Sequence, residues 1–98
     1  MNIQAMMKQA QKLQKDMMDA KNEIDKKEFE VTKSFITIKA TGNKKIQSVN
    51  INTDKIEKDE LEILEDLILV SINELMEKID KETEEKMGKY TKGMPGLF

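Results

Sequence analysis

Ile3, Met6, Ala10, Leu13, Met17, Ala20 and Ile24 open the chain at alternating steps of three and four. That spacing holds one stripe on one side of a helix for about three heptads, and Asn2 stands where an N-cap belongs. At about 1.5 Å per residue such a helix would be roughly 36 Å long, and a second one of about 28 residues near the other end would run roughly 42 Å. Strands of about six to eight residues reach only about 20 to 27 Å. A compact domain of about 100 residues has a radius of gyration near 13 Å. Helices this long must overhang whatever sheet lies between them or pair with another chain.

Between the helices the period of the sequence falls from seven to two. Phe29 and Val31 form one short alternation, and Ile36, Ile38 and Ala40 alternate with Thr37, Lys39 and Thr41 in another. The change of parity places a tight turn at Thr32-Lys33-Ser34, although that tripeptide carries neither Gly nor Asn. Thr41-Gly42-Asn43-Lys44 is a stronger turn signal, and Ile46, Val49 and Ile51 mark a third strand. The step from 46 to 49 breaks the alternation, as a bulge would.

Asp59-Glu60-Leu61-Glu62 then offers an Asp N-cap with a Glu at N3, and the acids up to Asp66 suit the positive end of a helix dipole. Leu61, Leu64, Ile68, Ser71, Ile72, Leu75 and Ile79 form the main apolar stripe of this second helix. Ile63, Leu67, Val70 and Met76 widen it beyond what one sheet can cover. Gly88, Gly93, Pro95 and Gly96 predict an end after Met87. The expected fold is therefore α+β, a single domain over residues 1–98 in the order α-β-β-β-α, with a three-stranded antiparallel sheet and long projecting helices. With three Phe, one Tyr and no Trp there is little bulk to fill a monomeric interior. The broad apolar face of the second helix accordingly predicts a two-fold dimer. On the same reading Met6, Met7, Met17 and Met18 serve packing, and Asn73 is either a buried register-setting group or an exposed neutral one.

The chain has no Cys and no His. Disulfides, thiolate and imidazole metal sites, and Ser or Thr nucleophiles activated by His are thereby excluded. No carboxylate pair stands out as catalytic, so no enzyme, cofactor or metal is expected. The acids from Glu57 to Asp66 read as capping and solvation, since the EF-hand spacing is absent. The opening Met1-Asn2-Ile3-Gln4 has no basic-then-apolar run, and the longest wholly apolar stretch is Leu67 to Val70. No signal peptide or membrane span is expected, and the expected location is cytoplasmic.

Net charge is −2, but it is unevenly spread. Lys8, Lys12 and Lys15 stand in residues 1 to 15 without an acid, and Lys86, Lys89 and Lys92 in residues 86 to 98 without an acid. Lys8, Lys12 and Lys15 recur at i, i+4 and i+7, a basic stripe on one helix face beside the apolar seam. On composition alone these lysines could form an ordinary solvated face. Local fields act within a Debye length of roughly 8 to 10 Å, so basic ends of a long molecule can attract a polyanion despite a negative total.

Three stretches together resemble the YbaB/EbfC family. Met7-Lys8-Gln9-Ala10-Gln11-Lys12-Leu13-Gln14-Lys15-Asp16-Met17 is similar to its opening helix, and Ile36-Thr37-Ile38-Lys39-Ala40-Thr41-Gly42 to its second strand and turn. The longest match runs through Leu64-Glu65-Asp66-Leu67-Ile68, Asn73-Glu74 and Glu85-Lys86-Met87-Gly88 to Thr91-Lys92-Gly93-Met94-Pro95-Gly96-Leu97-Phe98. One departure is the connection between strands 1 and 2, Gly-rich in the family and here a shorter Thr32-Lys33-Ser34.

The resemblance implies a homodimer whose protruding helices have been likened to tweezers, binding double-stranded DNA in the nucleoid. Lys8, Lys12, Lys15, Lys86, Lys89 and Lys92 are the candidate phosphate contacts. With no Arg in the chain, bidentate readout of guanine is absent and sequence-tolerant binding is expected. The alternative is a protein-binding adaptor that uses the helical arms and Met94, Leu97 and Phe98 to dock a replication or repair protein.

Overall fold

The computed structural model describes residues 2–91. Their order is α1 (Ile3–Lys26), β1 (Glu28–Lys33), β2 (Ile36–Thr41), β3 (Ile46–Ile51), a 3-10 turn (Lys58–Glu60) and α2 (Leu61–Thr91). Asn2 caps α1 as its spacing predicts, its side chain accepting from the backbone N–H groups of Gln4 and Ala5. At the other end the Lys27 N–H reaches Glu23 O and Ile24 O, both at 3.1 Å, as Lys27 turns extended into β1. Asp59 lies inside the 3-10 turn instead of capping α2, which begins at Leu61: the Glu57 N–H donates to the Glu60 carboxylate at 3.1 Å, and the turn so formed leads into α2. Gly88 does not stop α2, which continues to Thr91.

The strands form an antiparallel meander in the order β1-β2-β3. Lys33 pairs with Ile36, so the first turn is Ser34-Phe35 and not Thr32-Lys33-Ser34. Thr32 and Lys33 belong to β1. The physical reason is that Ser34 adopts the left-handed region, φ 54°, as a two-residue hairpin loop matched to strand twist requires. Half-buried Phe35 meanwhile packs back on the core. In the second pairing Ala40 faces Ile46 while Lys39 faces Ser48, leaving Gln47 as the extra residue of a bulge. That bulge is the broken alternation of the sequence. It restores parity, so Ile46, Val49 and Ile51 share a sheet face with Ala40, Ile38 and Ile36.

Gly42 joins the sheet to α1. Its N–H donates to Lys27 O at 3.0 Å, and a Cβ on it would lie 1.8 Å from Ile24 O. Only glycine allows the end of α1 to rest on the β2–β3 turn at that distance.

The core consists of Phe29, Val31, Ile36, Ile38 and Ala40 from the sheet against Leu75 and Ile79 of α2, flanked by Leu64, Leu67, Ile68, Ile72 and Met76. Three strands spaced about 4.8 Å apart are wider than one helix about 10 Å across, so one helix covers about two strands. Here they are β1 and β2. Every residue of β3 is exposed, including Ile46 (41%), Val49 (48%) and Ile51 (39%), which point to the core side of the sheet.

Ion pairs fix which side of α2 faces which strand. Glu74 meets Lys33 of β1 at 2.8 Å, and Asp80 meets Lys44 of the β2–β3 turn at 2.5 Å. Leu69 and Met76 fall on the Asp80 side by steps of seven and four, so Leu69 borders the open face of β3, and it is 60% exposed. Ile63 and Val70 fall on the Glu74 side and are also exposed. Asn73 is exposed, not a buried register-setting group.

The molecule measures 72 × 20 × 14 Å with a radius of gyration of 19.5 Å. Its length comes from α1 and the last turns of α2, which run antiparallel past the end of the sheet. Along α1 the seam is closed only at its lower end. Ile24 is fully buried and Ala20 and Met17 are half-buried, whereas Ile3, Met6, Ala10 and Leu13 are exposed. Of the four methionines read as packing residues, Met6, Met7 and Met18 are exposed in the single chain and Met17 alone is half-covered.

Candidate nucleic-acid interface

The free end of α1 carries a cluster of positive charge with no acid among residues 3–15. Lys8, Lys12 and Lys15 are all exposed, and none takes part in an ion pair. The lysines of the body are different. Lys27, Lys33, Lys39 and Lys44 are matched with Glu82, Glu74, Glu28 and Asp80, and Lys21 and Lys55 with acids on their own segments. No acid occurs in the first turn of α1. The helix dipole therefore adds positive potential, about half a charge, at the same tip.

Successive residues turn about 100° around a helix. This sets Lys8, Lys12 and Lys15 on the side of α1 nearly opposite the apolar seam, not beside it. The separation leaves the two faces free for different work: one can meet solvent or a polyanion while the other is covered.

Lys86 and Lys89 are placed otherwise. They are exposed, but they line a shallow depression between the two helices together with Asp16, Asp19 and Glu23 of α1 and Glu85 and Tyr90 of α2. Lys89 also lies 5.0 Å from the centre of the Tyr90 ring. Four carboxylates around two ammonium groups leave no local excess of positive charge there. Sequence could have found half of this, since Asp16, Asp19 and Glu23 share a face by their spacing; which lysines they would meet depends on how α2 crosses α1. Lys92, Met94, Leu97 and Phe98 lie outside the described residues.

Among the described residues, no group of three or more carboxylates is arranged to hold a metal ion. No described helix is long and apolar enough to cross a membrane.

Comparison with known proteins agrees with the family resemblance of the sequence. A nucleoid-associated protein of Enterococcus faecalis is 42% identical over 98 residues, covering 98% of this chain and 94% of that protein. A protein of the same name from Ligilactobacillus salivarius is 42% identical over 99 residues, covering 99% of this chain and 95% of its own length. A third, from Clostridium botulinum, is 45% identical over 97 residues, covering 97% of this chain and 86% of that one. The profile of the YbaB/EbfC DNA-binding family matches residues 1–94. With the α-β-β-β-α order and a match over nearly all of its length, the chain belongs to the YbaB/EbfC DNA-binding family.

Proposed function

We propose that this protein binds duplex DNA as a homodimer within the nucleoid, through phosphate contacts made by the outer faces of its α1 arms, and that binding is largely indifferent to base sequence. The observation that carries the reading is the projecting end of α1, where three exposed lysines stand in residues 3–15 with no acid among those residues and in no ion pair. The family and the names of the relatives supply the class of ligand. Lys8, Lys12 and Lys15 do most of the binding. Lys86 and Lys89 add less, because the depression they line is balanced by acids. All seventeen basic residues are Lys. An ammonium group binds phosphate as a point charge and lacks the fork that reads guanine, so sequence preference comes from DNA shape.

The dimer is supported by apolar surface that one chain does not cover, on β3 and on both flanks of α2. Two arms bring six lysines to the duplex. At about −0.9 per neutralised phosphate, log K should fall against log salt with a slope near −5. Gel-shift titration of a duplex at several salt concentrations measures it. A steep salt dependence that flattens when Lys8, Lys12 and Lys15 are all replaced by Ala is the expected result. Absence of any shift at low salt refutes it and leaves the adaptor reading, in which the arms dock a replication or repair protein.

A further inference from the structure

Toward its tip the α1 seam lies open. Lys86, Lys89 and Tyr90 of α2 stand level with Asp16 and Ala20, and past them Leu13 (38% exposed), Met6 (50%) and Ile3 (71%) continue the stripe, with exposed Ala10 among them. In heptad terms Ile3 and Ala10 occupy a positions, Met6 and Leu13 d positions. The e and g positions that border this stretch are Asn2, Met7, Gln9 and Gln14, so no charge flanks the open seam. Lys8, Lys12 and Lys15 fall at f, c and f, on the far side of the helix. Two such seams therefore meet without bringing their lysines together.

We propose that the open seam pairs, antiparallel, with the same seam of a second copy, and so joins one dimer to another; the dimer and the DNA-binding arm are those of the preceding proposal, on which this one rests. Centred near residue 8, the antiparallel register sets Ile3 of one copy against Leu13 of the other and Met6 against Ala10, an a position facing a d position in every layer. Met6, unbranched and flexible, fills the space that the small Ala10 leaves. The N-terminus of each arm then points at Asp16 of the other. The first turn of α1 has no acid of its own, and Asp16, exposed at the g position beside the seam, supplies the negative charge that a helix N-terminus favours. A parallel pairing would instead set two acid-free N-termini side by side.

The two-fold axis of such a pair crosses α1 near residue 8. Leu69, on the apolar face given to the homodimer, lies about 45 Å away along the helices at 1.5 Å per residue. One axis cannot serve both contacts, so the paired arms belong to different dimers. The open seam is about 15 Å long on a helix about 10 Å wide, a patch far smaller than the roughly 1,200 to 2,000 Å² that a stable free-standing interface buries. Free dimers therefore pair weakly, and dimers held close together on DNA pair well because their effective concentration is high. Lys8, Lys12 and Lys15 of each copy stay on the outer faces of the joined arms. Each dimer keeps its own duplex, and the paired arms hold the two duplexes together.

The absence of cysteine allows a direct test in the full chain. Met6→Cys protein and Ala10→Cys protein are mixed at high concentration, without DNA, in a glutathione redox buffer. The mixed disulfide between them should exceed by at least about tenfold the one formed when Lys12→Cys replaces Met6→Cys, since a bridge needs the two Cβ atoms within about 4.5 Å. Equal yields overturn the proposal and leave the seam to another part of the chain or to a different protein. Disulfides mainly between like positions mark a parallel pairing and overturn it too. A second measurement tethers one duplex to beads and asks whether the parent protein captures another, labelled duplex. Met6→Gln with Leu13→Gln, at positions exposed in the single chain, should lose that capture several-fold while shifting a single duplex as the parent does, and undiminished capture overturns the proposal. A mixed disulfide in a protein that binds no duplex would refute the DNA-binding reading and leave the arm pairing standing.

Discussion

Replacing Leu69 by Lys tests the surface on which the proposed dimer would depend. Leu69 is 60% exposed beside the open inner face of β3, where Ile46, Val49 and Ile51 are 39 to 48% exposed. Full burial of an aliphatic side chain stabilises by about 1.5 to 3 kcal/mol. The exposed share of Leu69 is then worth about 1 to 2 kcal/mol per copy, and two copies double it to about 2 to 4 kcal/mol. Forcing two ammonium groups into that interface adds a desolvation penalty of several kcal/mol per ion unless they escape to water. A loss of about 3 kcal/mol alone weakens association more than a hundredfold. Because position 69 is mostly exposed in the single chain, the new lysine can reach water and should leave the fold intact. Sedimentation equilibrium over a wide concentration range, with circular dichroism as the folding control, should show a parent dimer and a folded, largely monomeric L69K. The same variant should lose DNA affinity, since a monomer engages only half the phosphates. A parent chain that is monomeric at high concentration, or an L69K that associates as tightly as the parent, would falsify the assignment of this face.

Four further changes probe the fold by urea denaturation or hydrogen exchange. Gly42→Ala puts a Cβ 1.8 Å from Ile24 O and should lower stability by at least about 2 kcal/mol; a change under ~0.5 kcal/mol would show that α1 does not rest on that turn. Ser34→Gly removes a side chain from a left-handed position, φ 54°, and should stabilise by roughly 0.5 to 1 kcal/mol, whereas a loss would mean that the Ser side chain holds the hairpin. Ser71 is fully buried on α2, and its hydroxyl has no hydrogen-bond partner among the described residues. Ser71→Ala should therefore gain about 1 kcal/mol, and destabilisation would reveal a missing partner. Asn2→Ala withdraws the acceptor from Gln4 and Ala5 and should fray the tip by about 1 kcal/mol, seen as faster exchange of those two amides with no change in β2.

Local rules made most of this fold legible. The bounds of α1, its Asn2 cap and the three strands follow from periodicity, and even the bulge at Gln47 is visible as a step of three among apolar residues. The first hairpin was not legible at its true position, because neither Ser34 nor Phe35 is a residue that a two-residue turn favours; tertiary packing of Phe35 overrides the preference. The start of α2 at Leu61 lies two residues from the expected Asp59 cap, but the 3-10 turn before it was not legible: Glu57 is a poor N-cap by type, and its pairing with the Glu60 side chain stabilises that turn. At the candidate site the lysines of α1 could be read in advance, because both their spacing and the lack of nearby acids are local. The neutral surroundings of Lys86 and Lys89 could not, since the acids that balance them lie about 65 to 70 residues earlier in the chain and meet them only where α2 crosses α1.

A net charge of −2 looks ill suited to a polyanion, and the structure shows how the charge is divided. Acids of the body are used locally: Glu82, Glu74, Glu28 and Asp80 neutralise lysines on neighbouring elements. The α1 tip has no such acids, and in a molecule 72 Å long it can lie several Debye lengths from the acidic start of α2. Phosphates near the tip are then governed by three lysines and a helix N-terminus, with the remaining charge screened. The consequence is a specific one. Moving acid to the arm should weaken DNA binding far more than adding the same charge on the body of the molecule. Gln11→Glu, one residue from Lys12, should reduce affinity severalfold at ~0.1 M salt, while Asn73→Asp, on the body, should leave it nearly unchanged. Equal effects of the two substitutions would mean that total charge governs binding and that the arm is not the place where DNA is met.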